Sequence, residues 1–203
     1  MKDNFSAKVI TLHEIYENSY KLAKIIMQSP YKFDIVVAIA RGGFPTARFI
    51  CDFLNIRQLC SMQIVHYRGG AVKKEKTEII SPINISVKEK NILIVDDVND
   101  TGETLKAAYD HIQSLEPALF KIAVLHEKST TLFKADFVAS HQKKWKWLTY
   151  QWAVTEDIIS FLEKDNMLGE EEALAREHLY KKYKIKISKK AFQQILGMQG
   201  NYL

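Results

Sequence analysis

The chain has 203 residues, 47% of them hydrophobic and 26% charged, with a formal net charge of +5. That length carries one well-filled core with room for an appendage, and the composition is that of an ordinary globular protein. No apolar run approaches the ~18 residues that span a bilayer, and the residues from Met1 to Ser6 lack the apolar core of a secretory signal, which excludes a membrane-spanning reading and points to the cytoplasm. From Thr155 onward acids and bases balance, so the positive excess lies in the first three quarters. That placement suits a polyanionic small ligand and would equally suit nucleic acid.

Thr11-Leu12-His13-Glu14 has the form of a capping box, followed by Leu12, Ile15, Ser19, Leu22, Ala23 and Ile26 at helical spacing. The spacing predicts an amphipathic helix ending near Ser29-Pro30. Asp34 to Ala40 reads as a strand buried on both faces. It runs into Arg41-Gly42-Gly43-Phe44-Pro45 and a short helix from Thr46 to about Leu54, with Pro45 at its first position. An arginine and two glycines after a strand can cradle an anion, or simply form a tight turn. Cys51 falls in this helix and Cys60 near the next strand; neither has metal-ligand spacing, and both read as buried free thiols. Leu59 to Tyr67 alternates as a strand does, and Arg68 to about Lys76 reads as a mobile loop whose Lys73, Lys74 and Lys76 are solvated charges. Ile83 to Val87 is a weak strand candidate.

The organising stretch is Ile92 to Leu105. Ile92-Leu93-Ile94-Val95 predicts a strand of a parallel sheet, which meets Asp96 and Asp97, a short polar loop and a third carboxylate, Asp100. Thr101 and Gly102 open a helix pattern continued by Leu105, Ala107, Ala108 and Ile112. In open α/β sheets ligands sit beyond the carboxyl ends of the strands, and a helix start favours a phosphate. Thr101 and Thr104 add hydroxyl donors, and Gly102 allows close backbone approach. The three carboxylates cannot share that phosphate; they suit sugar hydroxyls, a metal ion or a proton to be removed. An ordinary strand, loop and capped helix is the plain alternative.

Phe120 to Leu125 predicts a further buried strand, ending at His126-Glu127-Lys128, and Ala135 to Ala139 a short one. Strand and helix alternate, which implies a mainly parallel sheet with right-handed crossovers. His141 to Leu148 interleaves bases with aromatics, which fits nucleic-acid stacking or rim aromatics flanked by solvated lysines. Beyond it, Asp157 to Leu162 reads as a helix, Asn166 to Gly169 as a break, and Glu170 to Tyr183 as a charged amphipathic helix with Leu174, His178 and Leu179 inward. Ser188 is placed to cap a last helix through Ala191, Phe192, Ile195 and Leu196. The division expected is a core over residues 1–155 and a helical C-terminal extension over 156–203 that packs on the core or on a partner subunit. Its near-zero charge disfavours a DNA-binding role, and nucleic acid is not the expected partner.

The run of apolar residues, two acids, two variable residues, Asp-Thr-Gly, any residue and Thr resembles the phosphoribosyl-diphosphate (PRPP) signature of the type I phosphoribosyltransferases, here Ile92 to Thr104. Arg41-Gly42-Gly43 resembles the family's diphosphate-binding loop, and Tyr67 with Arg68 the start of its flexible loop. Lys128, then Trp147-Leu148 nineteen positions on and Trp152 five beyond that, resemble the base pocket of the bacterial xanthine-guanine enzymes. The resemblance covers Val36 to Trp152 and implies a twisted, mainly parallel sheet flanked by helices with a small hood. It implies transfer of the phosphoribosyl group of PRPP to a 6-oxopurine, giving a nucleoside monophosphate and diphosphate, with Mg²⁺ required.

On that footing Asp100, Thr101, Gly102, Glu103 and Thr104 hold the 5-phosphate, while Asp96 and Asp97 hold the ribose hydroxyls, directly or through hydrated Mg²⁺. Asp100 manages the proton on purine N7, Lys128 donates to the 6-oxo group, Trp147 stacks on the ring and the Leu148 backbone meets the 2-position. A homodimer or homotetramer is the implied assembly. Gln151 stands where the bacterial pattern has proline, and the C-terminal fifty residues lie outside the resemblance. Two other readings stay open: a PRPP- or nucleotide-sensing regulator on the same fold, and a transferase for another nucleobase.

Overall fold

The computed structural model describes residues 5–68 and 75–202. In chain order its main elements are β1 (Ala7–Ile10), α1 (Leu12–Met27), β2 (Ile35–Ala40), α2 (Gly43–Phe53), β3 (Gln58–Arg68), β4 (Glu75–Ser81), β5 (Asn91–Asn99), α3 (Glu103–Gln113), β6 (Leu119–Lys128), β7 (Phe137–Gln142), β8 (Trp147–Tyr150), α4 (Val154–Lys164), α5 (Glu172–His178) and α6 (Lys189–Leu196). They fall into two compact units, one from His13 to Trp145 and one made of both ends of the chain, residues 1–12 with 146–203.

The first unit is a six-stranded sheet in the order β4-β3-β2-β5-β6-β7. β2 pairs in parallel with β3 and β5, β5 with β6 and β6 with β7, while β4 runs antiparallel to β3 at the edge. The expected mainly parallel α/β sheet is therefore present. One face of β2, β5 and β6 (Val37, Ile39, Ile92, Ile94, Ile122, Val124) packs with Leu105, Ala108 and Ile112 of α3. The alternate residues Val36, Ala38, Leu93, Val95, Ala123 and Leu125 are also buried, which is why these strands read as continuous apolar runs. The helix α1 buries Ile15, Ser19, Leu22, Ala23 and Ile26 as expected; Leu12, at its very start, stays 66% exposed. Ser19 satisfies its buried hydroxyl on Ile15 O at 2.7 Å.

Several boundaries differ from the sequence expectation. The strand expected over Ile83–Val87 is absent; the chain instead forms β4 over Glu75–Ser81, so Glu75 and Lys76 belong to a strand and not to a loop. An edge strand bonds on one side only and tolerates Glu, Lys and Thr, so it carries no apolar signature, and Pro82, which has no N–H, ends it. Residues 69–74, with Lys73 and Lys74, lie outside the described residues. The strands β5 and β6 run four and three residues past their apolar runs, because the ladder between them continues to Asn99↔Glu127 whatever the side chains are. The helix α2 begins at Gly43, not at Thr46, which puts Pro45 third; a missing N–H costs nothing anywhere in a first turn.

In the second unit β1 and β8, neither expected from the sequence, pair in parallel from Ala7↔Trp147 to Ile10↔Tyr150. Gln151, the residue standing in place of proline, donates its side-chain amide to Ile10 O at 2.9 Å, a bond proline could not make. A core of Ile158, Leu162, Ala175, Leu179, Tyr183, Ile185 and Phe192 joins α4, α5 and α6. Leu174 is 47% exposed, contrary to expectation. The helix α5 ends at His178 and the chain widens into a π-helical turn over Leu179–Tyr183, so Ala175, Leu179 and Tyr183 form the inner row. Ser188 caps α6, its hydroxyl accepting from Ala191 N at 3.2 Å.

Candidate active site

The site grows from the carboxyl end of β5. Asp96 and Asp97 are buried there, 7% and 8% exposed. The Asp97 N–H donates to Asp96 Oδ1 at 2.9 Å. Burial first, and then the neighbouring charge of Asp97, raise the Asp96 carboxyl well above the ordinary carboxylate range, against the opposing pull of that N–H. Two carboxylates so placed are poised to receive positive charge or hydroxyl donors.

Because β2 lies beside β5, the loop Arg41-Gly42-Gly43 comes down on the same two acids. A Cβ on Gly42 would stand 2.4 Å from Asp97 Oδ2, and one on Gly43 2.4 Å from Val95 O. Neither glycine is needed for its backbone angles; a side chain at Gly43 would push the loop off the β5 backbone, and one at Gly42 would collide with the Asp97 carboxylate. The structure thus brings together the acids and the loop that the sequence had kept 55 positions apart in the text of the chain, with the Ala40–Arg41 peptide bond cis.

Past Asn99 the chain turns through Asp100, Thr101 and Gly102 into α3. Gly102 has φ +96°, and a Cβ there would meet Phe133 N at 2.6 Å and Thr131 Oγ1 at 2.8 Å. The turn is buttressed from behind. Asn99 donates from Nδ2 to Glu127 Oε2 at 3.0 Å and to Phe133 O at 2.8 Å, and accepts from Thr131 Oγ1 at 3.0 Å. Glu127 also accepts from Ala135 N at 2.9 Å, and Leu132 N donates to Thr101 O at 2.9 Å. Glu103 and Thr104 stand in the first turn of α3, whose amide groups direct partial positive charge toward the loop.

Lys128, 3% exposed at the end of β6, reaches across to Asp100 with Nζ 2.6 Å from Oδ2. Thr130 Oγ1, with one proton to donate, lies 3.0 Å from both Asp100 O and Asp100 Oδ1. Trp145 donates from Nε1 to Asp100 Oδ1 at 3.2 Å and lays its ring 4.8 Å from Lys128 Nζ.

The other expected residues are placed differently. Trp147 and Leu148 lie on β8 in the second unit; Leu148 is buried, and Trp147 donates from Nε1 to Asp157 Oδ2 at 2.8 Å and stacks on Phe5. Burial raises the Asp157 carboxyl, opposed by that indole bond. Tyr67 and Arg68 are the last residues of β3, their backbones paired with Lys76 and Glu75. Asn99, Glu127, Thr130 and Thr131 give no signal in the sequence, because single polar residues at strand ends form no pattern. Trp145 stood inside the run of bases and aromatics, and nothing in the spacing distinguished it.

A parallel sheet whose carboxyl edge carries a helix-start turn, a glycine loop and clustered carboxylates defines a nucleotide- or phosphosugar-handling protein. Residues 9–156 match the phosphoribosyl transferase domain family, and the chain belongs to it. The hypoxanthine-guanine phosphoribosyltransferase of Streptococcus pneumoniae is 30% identical over 131 residues, which cover 63% of this chain and 73% of that one. The purine phosphoribosyltransferase structure from Pyrococcus horikoshii matches with a TM-score of 0.64 at 30% identity, over 73% of this chain and 94% of the other. A hypothetical protein from Neisseria gonorrhoeae with bound ppGpp matches with a TM-score of 0.66 at 25% identity, over 73% and 90%. The chain is a phosphoribosyltransferase of the type I fold.

Proposed function

We propose that this chain transfers the phosphoribosyl group of PRPP to a 6-oxopurine, releasing diphosphate and giving a nucleoside 5'-monophosphate, as a purine-salvage enzyme of the cytoplasm. The observation that carries the reading is the Asp100–Lys128 pair, a carboxylate and a buried ammonium 2.6 Å apart on the lip of the phosphate turn. One partner suits the N7 proton of a purine and the other its 6-oxo oxygen, while a 6-amino group would leave the ammonium without an acceptor. The hypoxanthine-guanine and purine enzymes among the relatives support the same substrate class.

In this reading the turn from Asp100 to Thr104 grips the 5-phosphate by amide and hydroxyl donors, and Asp96 and Asp97 hold the ribose hydroxyls. Arg41, Gly42 and Gly43 meet the leaving diphosphate, whose charge grows as the glycosidic bond breaks. Trp147 stacks on the base, the Leu148 backbone meets its 2-position, and Tyr67 and Arg68 begin the segment that excludes water from the reacting sugar. Asp96 and Asp97 fit Mg²⁺: both are hard oxygen donors, and their burial side by side disfavours two negative charges without a cation. Bound with PRPP, the ion would offset phosphate charge and orient the ribose. The proposed functional division is a catalytic core with its hood over residues 1–155 and a helical extension over residues 156–203, which does not follow the two compact units. A homodimer or homotetramer is the proposed assembly.

A second reading is a regulator that binds a nucleotide without turning it over; the neighbour carrying ppGpp favours it. One assay separates them: PRPP and Mg²⁺ with hypoxanthine, guanine, xanthine, adenine or uracil, followed for nucleotide formation. Product from at least one 6-oxopurine, and none from adenine or uracil, is expected. No turnover with any 6-oxopurine overturns the enzyme reading, and nucleotide binding without turnover establishes the second.

A further inference from the structure

Two tryptophans two positions apart have different duties. The Trp147 indole is tied to Asp157. The Trp145 indole is turned onto the pair assigned above to base recognition, with its N–H on Asp100 and its ring face beside Lys128. The Asp100 oxygens are thereby made unequal. Oδ1 faces two neutral donors, Thr130 Oγ1 at 3.0 Å and Trp145 Nε1 at 3.2 Å. Oδ2 meets the Lys128 ammonium at 2.6 Å.

We infer that Trp145 is a positioning residue for the base: it fixes the Asp100 carboxylate through Oδ1 so that Oδ2 faces the incoming purine, and it steadies Lys128 while that ammonium exchanges Asp100 for the 6-oxo oxygen. The inference rests on the function proposed above. Rotation about the last torsion of aspartate is broad, so an unheld carboxylate sweeps through a range of planes. Donors on one oxygen select one orientation, and a general base must be in reach of its proton before anything else matters. The ammonium has the complementary problem. At rest Asp100 is one of its partners, and base binding draws the ammonium away from it. An aromatic face 4.8 Å away keeps the charge partly compensated during the exchange. Trp145 as a residue is 38% exposed.

The test is steady-state kinetics of the wild-type chain, Trp145→Phe and Trp145→Ala, with PRPP and hypoxanthine varied in turn, alongside thermal melting. Trp145→Phe keeps a ring over Lys128 and loses only the N–H. It is expected to lower kcat about tenfold while both KM values stay within about twofold. Trp145→Ala is expected to add about a fivefold rise in KM for hypoxanthine, with KM for PRPP again unchanged. An active wild type with an unaltered kcat in Trp145→Phe overturns this inference alone, as does a variant in which KM for PRPP rises along with everything else. A wild type inactive on every 6-oxopurine overturns the proposed function and this inference with it. If Trp145→Ala does not fold, ¹⁹F spectra of the 5-fluorotryptophan-labelled wild type decide, with Trp145→Phe supplying the assignment. The Trp145 signal is expected to move on adding guanosine 5'-monophosphate and not on adding PRPP alone; a signal that stays put overturns the inference.

Discussion

Two groups of buried acids in this chain have opposite electrostatics. At the end of β5, Asp96 and Asp97 sit side by side, and burial with mutual repulsion pushes the Asp96 carboxyl well up. At the end of α4 the Asp165 side chain is 6% exposed, yet its carboxyl is brought down to about 2. Burial alone would raise Asp165; hydrogen bonds from His178, Lys182 and Tyr183 outweigh it. His178 Nε2 lies 2.7 Å and the Tyr183 hydroxyl 2.8 Å from Asp165 Oδ2, and Lys182 Nζ meets Oδ1. The satisfied cluster holds helices together. The pair at β5 concentrates like charge in a buried place, which costs the fold something and suits a site that receives donors or a cation.

Substitutions can break this contrast. The largest effect is expected at the third acid of the turn: Asp100→Asn should lower turnover about 100-fold with KM for PRPP nearly unchanged, since the phosphate donors remain. Steady-state kinetics with each substrate varied would check it. Asp97→Asn should weaken PRPP about 30-fold while the melting temperature holds or rises, because one of two crowded charges is gone. A large fall in melting temperature would mean that the pair is structural after all. Asp165→Asn should do the reverse, with turnover kept and about 2 kcal/mol of stability lost at pH 7. A depressed folded-state carboxyl stabilises above its unfolded value of 3.8, and that contribution fades as pH falls toward about 2. Denaturant titrations of the wild type and Asp165→Asn should therefore converge near the acid end of that window. The smallest effect sharpens the picture: Asp157→Ala, which frees the Trp147 indole, should cost about 1 kcal/mol of stability in a denaturant titration and leave KM for PRPP alone.

The sheet and its phosphate turn were readable because central parallel strands must be apolar on both faces, and because the Asp-Thr-Gly turn has to meet several demands at once. The features without a sequence signal are those that need no such pattern. The edge strand β4 is half solvated, and Glu, Lys and Thr serve it well. The pair β1 and β8 is four residues long in each strand, with the partner far off in sequence, so no local period announces it. Leu174 looked inward only if α5 ran unbroken to Tyr183; the π-helical turn at Leu179 re-aims the row. Trp145 and Trp147 share their residue type and their lysine neighbours, and only the fold reveals which one touches Asp100.

The parallel pairing of β1 with β8 also constrains the order of assembly. Ile10 and Gln151, joined by a hydrogen bond, are 141 positions apart. Closing so long a loop is slow, and a chain leaving the ribosome holds Ala7–Ile10 in waiting until Trp147–Tyr150 has followed. The six-stranded sheet has all of its strands by Gln142 and can condense first. A nascent chain stalled between those two points would carry a finished sheet and an orphaned leading strand, and that short apolar segment is what a chaperone or a protease would find first.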